Sequence, residues 1–333
     1  MRSKLLLTII GTLAVVLGCA FVPTLRAQTT PMFTPDLERA VRLPAGVWYK
    51  WGGGALLGVD QSMYGATPAP LLYRIDRDGR REEIWFEIPG ATLQRVRAVA
   101  GGDDGAIAVC GSAYSGSDSR FGTYVAWISP DRKRQTAARV WPYVAGEIAI
   151  APDGTIWSVG YAKDLANTKV VANNVLVHLA NSGQPLGSRR VSAKARLANQ
   201  EATLNSFLVA SPDRLGWLTN GGEYIEFSFG GKEIGRFKGP AGMVFDKLDR
   251  EAPKICGFTL SPDNQALMCV DQNDASQVLA LDRQSGTWRA ALPQQNGYAQ
   301  LVGFDGGGPV VLPRIGDLGV IRNYKQNPAS PAH

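Results

Sequence analysis

The chain has 333 residues, of which 45% are hydrophobic, with 38 Gly, 20 Pro and a formal net charge of +6. That length supports a sizeable buried core, and abundant Gly with modest charge favours turn-rich β structure over helical bundles or disorder. Beyond Asp131-Arg132-Lys133-Arg134 there is no dense basic stripe, so nucleic acid is excluded as the expected partner. In chain order, residues 1–27 read as a secretory signal peptide. Arg2 and Lys4 precede an apolar run over 5–22, and Leu25-Arg26-Ala27 places a small residue at the cut. Two alternatives use the same segment: a lipobox Val16-Leu17-Gly18-Cys19 with Cys19 acylated, or an uncleaved anchor. Cleavage removes Arg2, Lys4 and Arg26, so 35 basic residues fall to 32 against 29 acidic, a net of +3. The expected location is periplasmic or secreted, or membrane-anchored as a lipoprotein. Membrane contact runs only through this segment, if Cys19 is lipidated or the signal stays uncleaved.

After a linker at 28–36, an internal repeat organises residues 37–325. Each copy is an apolar strand, a tight Pro/Asp/Gly turn and a second apolar strand, the clearest being residues 147–160. The equivalent turn positions Gly53, Asp104, Asp153, Asp213, Asp263 and Gly306 are spaced by 51, 49, 60, 50 and 43 residues. Periods near ~40–50 residues belong to four-stranded propeller blades. A second hairpin follows each of the first five copies, with turns such as Asp76-Arg-Asp-Gly79 and Asn181-Ser-Gly183. The sixth copy lacks room for a fourth strand before the tail at 326–333, which reads as disordered. A strand near Leu37 directly precedes the first copy, resembles the outer strands and would hide the open edge. The predicted fold class is therefore all-β, a six-bladed β-propeller of four-stranded blades, the last closed by the N-terminal strand.

Ala151-Pro-Asp-Gly-Thr-Ile-Trp157 and the Ser-Pro-Asp turns at 211–213 and 261–263 resemble the six-bladed propellers of the NHL-repeat and gluconolactonase (senescence-marker-protein) superfamily. The resemblance covers nearly the whole chain after the signal segment, through structural turns that many activities share. For the gluconolactonase family it implies a divalent metal at the channel mouth, held by Glu, Asn and Asp of inner strands. Asp271, nine residues after Pro262, matches that pattern. The Asn place is taken by Cys256, and in the third and fourth blades by Gly146 and Ser206.

The second strand of each blade ends on the loop face, where propellers carry ligands. The residues at those ends are Asp60, Ser112, Tyr161, Asn220, Asp271 and Arg314, a polar ring able to read a polar ligand. His178 sits in an apolar strand and reads as core, and the sequence has no Gly-x-Ser-x-Gly elbow or phosphate-binding glycine loop. Cys256 and Cys269 flank the fifth hairpin; a four-residue turn would pair them, whereas a bulge would part them. Cys110 reads as a packing residue. Trp48, Tyr49, Trp51, Trp141 and Tyr143 read as packing between blades, with a binding platform as the alternative.

The expected function is a non-enzymatic extracytoplasmic propeller that binds a protein or small polar ligand on its loop face, with no cofactor. The alternative is a metal-dependent, lactonase-like hydrolase in which Asp60 and Asp271 hold calcium or another divalent cation and Arg314 orients an oxygen. A lyase of the same superfamily is the third reading.

Overall fold

The structure is a computed structural model, and it describes residues 31–43, 47–60, 65–66, 69–115, 121–166, 169–195, 205–245, 252–315 and 318–328. The predicted signal peptide, Cys19, the start of the linker and residues 329–333 of the tail lie outside the described residues. No helix among the described residues is long and apolar enough to cross a membrane.

Alternating apolar strands and Asp/Gly turns fold into antiparallel four-stranded runs. The first is Val47–Gly52, Ala55–Asp60, Ala69–Ile75 and Arg81–Phe86. The second is Leu93–Gly101, Ile107–Tyr114, Phe121–Ile128 and Gln135–Arg139, with the short Gly65–Ala66 added at its inner edge. The third is Tyr143–Ile150, Ile156–Lys163, Val170–Leu179 and Pro185–Arg190. The fourth is Phe207–Ala210, Arg214–Leu218, Tyr224–Ser228 and Glu233–Phe237. Aspartates set the turns: Asp104 accepts from the Ala106 N–H at 2.8 Å, and Asp153 from the Thr155 N–H at 2.9 Å. Such side-chain bonds hold a turn whose own backbone groups are otherwise unpaired.

The remaining strands form one nine-stranded sheet. One run is Lys254–Leu260, Ala266–Gln272, Ala275–Asp282 and Thr287–Ala290, with Gln295–Asn296 pairing off its third strand. The other is Ala299–Asp305, Gly308–Ile315, Leu318–Gln326 and the N-terminal Phe33–Arg42. The two runs form one sheet because they are joined by a parallel bridge between Gly257 and Leu301. The physical reason is glycine. At φ 152° a Cβ on Gly257 would stand 2.0 Å from the Leu301 carbonyl oxygen, so only a bare backbone lets the strands meet. The N-terminal strand begins at Phe33, earlier than residue 37, and pairs antiparallel with Leu318–Gln326, Leu37 lying opposite Asn323.

These runs surround a channel as a β-propeller. Their first strands contact one another in succession, and Ala299–Asp305 contacts Val47–Gly52 to close the ring. Apolar clusters fill the junctions between neighbouring runs. The closing junction packs Val302, Val310, Leu312 and Ile321 against Val47, Tyr49 and Leu56.

Bulges recur in the first strands, at residues 96–98, 145–147, 255–257 and 301–303. They turn backbone carbonyls onto the second strands, where glycine makes room. A Cβ on Gly111 would stand 1.9 Å from the Arg95 carbonyl oxygen, and one on Gly160 would stand 2.0 Å from that of Val144. Neither clash can be relieved by a side-chain rotation. Gly111→Ala and Gly160→Ala should each cost about 1–3 kcal/mol or more, the range for overpacking a close-packed interior. Urea denaturation checks this; an unchanged midpoint in both variants would contradict the packing described.

Candidate functional site at the channel mouth

The first strands bring their N-terminal halves to one end of the channel. There they enclose a cavity of about 330 Å³. Val47–Gly52 supplies Trp48 and Lys50, Leu93–Gly101 supplies Arg95 and Arg97, and Tyr143–Ile150 supplies Glu147. Asn205, Ser206, Ile255 and Gln300 complete the circuit from the other three first strands and their approaches. The opposite end opens among the hairpin turns as a cavity of about 620 Å³, and Lys50 lines both.

Side chains one position in two along a regular strand share a face, which places Trp48 with Lys50; Arg95 lines the cavity ahead of the bulge at 96–98 and Arg97 within it. Lys50 Nζ lies 2.5 Å from Glu147 Oε2, both largely shielded from solvent. Burial pushes the Glu147 carboxyl above its ordinary range, while the Lys50 ammonium and its hydrogen bond, then Arg97, pull it back. Gln300 is buried and donates from Nε2 to the Tyr49 carbonyl at 2.8 Å, fixing the floor. Among the described residues that line the cavity, Lys50, Arg95 and Arg97 stand with one carboxylate, that of Glu147. Small polar groups beside them can orient a ligand, and a cavity of this size sits at the lower end of small-molecule pockets, roughly 300–1,000 Å³.

Of the residues predicted from sequence, Ser112 lines this cavity; it lies opposite Arg95 across the second sheet. Asp60, Arg314 and Asp271 occupy the same loop end but are not among the residues lining the cavity. Asp60 pairs across from Val47, whose carbonyl accepts from Arg314 Nη1 at 3.1 Å. The Arg314 guanidinium also lies 5.7 Å from the centre of the Tyr49 ring, a cation–π contact. Asp271 pairs across from Lys254 on one side and Ser276 on the other. Its carboxyl is raised by burial and lowered by Lys254, and Oδ1 is buried without a hydrogen-bond partner. Between Asp271 and Arg314 stands Tyr298, whose phenol is raised by burial and by Asp271 and lowered by Arg314. Tyr161 is half-buried opposite Val144, and Asn220 is buried in the turn that Thr219 and Gly222 close. Among the six residues expected from sequence, the cavity lining thus includes Ser112, while Asp60 and Arg314 meet at Val47.

No family model matches the chain, and no curated protein matches it. Solved structures do. The Cps50 (Swd1) beta-propeller domain of Myceliophteria thermophila aligns at 6% identity and TM-score 0.48, over 86% of this chain and 99% of that one. Luciferin-regenerating enzyme aligns at 12% identity and TM-score 0.47, over 88% and 96%. BamB from Moraxella catarrhalis aligns at 11% identity and TM-score 0.41, over 88% and 99%. At these identities the likeness concerns fold alone.

Lys50, Arg95, Arg97, Glu147 and Gln300 escaped the sequence reading, which followed the ends of second strands. Their signal is a charged or amide side chain inside an otherwise apolar first strand, where a polar group must face a solvated channel or be paired. His178 stacks on Trp157 with ring centres 4.2 Å apart, and burial pushes its imidazole down, against the pull of Asp153. It is not the satisfied core residue that sequence suggested, since Nε2 is buried without a partner. Cys256 and Cys269 form a disulfide, and Cys110 is buried with its thiol pushed up to about 12. Where the gluconolactonase pattern would put an amide, the chain has a disulfide sulfur, with the Lys254 ammonium across from Asp271. Hard cations take several oxygens, and the described residues here lack the amide of that pattern.

Proposed function

We propose that this chain is an exported, six-bladed β-propeller that acts as a binding module, taking a small polar ligand into the channel mouth on its loop face. The observation that carries the reading is the cavity at that mouth. The first strands of the ring deliver Lys50, Arg97, Glu147 and Gln300, on separate strands, to one space of about 330 Å³. Six blades are supported by the four-stranded runs and by apolar clusters at every junction, the bridge at Gly257 being a local contact between two neighbours. Export is supported by the basic and apolar layout of residues 1–27. A small ligand suits the dimensions of the mouth better than a protein chain does.

The competing reading, a metal-dependent lactonase, differs in a measurable way. The chain from residue 28 onward is melted with galactose, galacturonate, benzoate and phosphate, then with EDTA and with excess calcium. A ligand that binds only the folded state stabilises it by about 2.7 kcal/mol at 100-fold saturation. A saturable rise with at least one organic ligand, without lactone hydrolysis, is the expected result. A rise with calcium that EDTA reverses, accompanied by lactone hydrolysis, would replace the binding module by the enzyme.

A further inference from the structure

The channel is two spaces, and they part at one level. On the second run the mouth ends at Val99 and the opposite cavity begins at Ala100. On the third run the change falls between Glu147 and Ile148, and on the fourth between Phe207 and Leu208. Among the described residues, Lys50 alone lines both cavities. We infer that the Lys50–Glu147 ion pair is a removable partition across the channel, and that neutralising Glu147 joins the two cavities into one passage. The partition is independent of what the mouth binds.

The pair spans the ring rather than a junction between neighbours. Lys50 belongs to the first run and Glu147 to the third, and Leu93–Gly101 of the second run contacts both of their strands. From the fourth run, the Leu208 N–H also donates to the Glu147 carboxyl. One carboxylate therefore gathers donors from runs on either side of it, at the level where the cavities part. Lys50 Nζ lies 2.5 Å from Oε2, and the two side chains are 21% and 12% exposed although open space lies above and below them. The hold depends on charge. A hydrogen bond between charged groups is roughly twice as strong as a neutral one, so an uncharged carboxyl holds the ammonium less firmly. Burial pushes the Glu147 carboxyl up, and Lys50 and Arg97 pull it back. The Cys110 thiol, which also faces it, is itself pushed up to about 12 and stays neutral. On the same sheet, Ser158 donates to the Glu147 backbone carbonyl. The charge is present above the raised value and is lost as pH falls through it, sooner than for an ordinary glutamate.

A linker threaded through the channel tests the partition. Ser112 lines the mouth, and the exposed Asp103 lines the opposite cavity. Seven or so strand residues at ~3.3 Å each separate them, roughly 23 Å through the channel, against roughly 40 Å around the outer strands. Ser112→Cys combined with Asp103→Cys, in the chain from residue 28 onward, is treated with a bismaleimide spanning about 25 Å. Single-maleimide labelling shows that both introduced thiols react, and intact mass with peptide mapping reads the linkage. Glu147→Gln, which mimics the neutral carboxyl, should raise the linking rate at least about tenfold. Lys50→Ala removes the spanning side chain and should link at least as fast. Cooperative urea unfolding shows that each variant is folded. Equal linking with and without Glu147→Gln would overturn the inference. So would linkage in Lys50→Ala alone, or in none of the variants.

Discussion

Replacing Glu226 by alanine should destabilise the propeller by about 3–5 kcal/mol, the range for removing one partner of a buried ion pair. Its carboxylate is 3% exposed and serves several donors. Arg214 Nη1 lies 3.1 Å from Oε2, and Arg283 donates from both Nε and Nη2 to Oε1. The Tyr224 hydroxyl donates to the same Oε1 at 2.7 Å. Arg214 and Tyr224 belong to the fourth sheet, whereas Arg283 follows the third strand of the next run, so the carboxylate ties two neighbours together. Alanine takes the shared acceptor from two guanidinium groups in a half-buried junction, leaving Arg214 with Asp213 and Arg283 with the Asn264 carbonyl. Burial limits screening, so the loss should persist in high salt. Glu226→Gln, which keeps the volume and one acceptor oxygen, should cost less than alanine. Urea denaturation at low and high salt measures both, and a loss below ~1 kcal/mol for alanine would place the carboxylate among ordinary surface pairs.

The disulfide should contribute nearly as much. Cys256 and Cys269 are separated by 13 positions and both are buried in the same apolar cluster. Closing a loop of about 15 residues stabilises by about 3 kcal/mol in the chain-entropy account. Cys256→Ala combined with Cys269→Ala should therefore lower the unfolding free energy by about that amount. The same loss should follow in wild type under a reductant strong enough to open the bond in the unfolded chain. Cys110→Ala supplies the contrast, since its thiol takes no part in a bridge. A double variant as stable as wild type would contradict the bond.

The sequence carried the propeller because its turns are chemically explicit. Asp104, Asp153 and Asp282 each hold a following backbone N–H, and such turns recur at intervals that suit blades. The N-terminal strand could be placed because a last repeat without an outer strand leaves an edge that must be covered. The disulfide was open for a reason of register. Counting residues through a turn assumes a regular ladder, whereas the bulge at 255–257 inserts Cys256 as an unpaired residue and shifts the count by one. The same kind of irregularity hid the bridge at Gly257, which depends on how closely two first strands converge. The candidate site was half legible. Ser112 was reached from the ends of the second strands, but Lys50 and Glu147 lie far apart in sequence and meet only because the ring brings the first and third first-strands to one channel. Which charged residues converge across a channel is a property of closure, and no local pattern reports it.

The most direct test of the channel mouth as the binding site is to block it. Ser112→Cys would place a thiol in the cavity wall of a chain whose other described cysteines are a buried thiol and a disulfide. A bulky maleimide attached there can be compared with the same label on Ser285→Cys, in an exposed turn that does not line the mouth. The saturation-transfer signal of the organic ligand that raises the melting temperature is then recorded before and after labelling. Loss of the signal on labelling Cys at position 112, and its retention on labelling at position 285, is the predicted result. A signal that survives the label at the mouth would contradict the account.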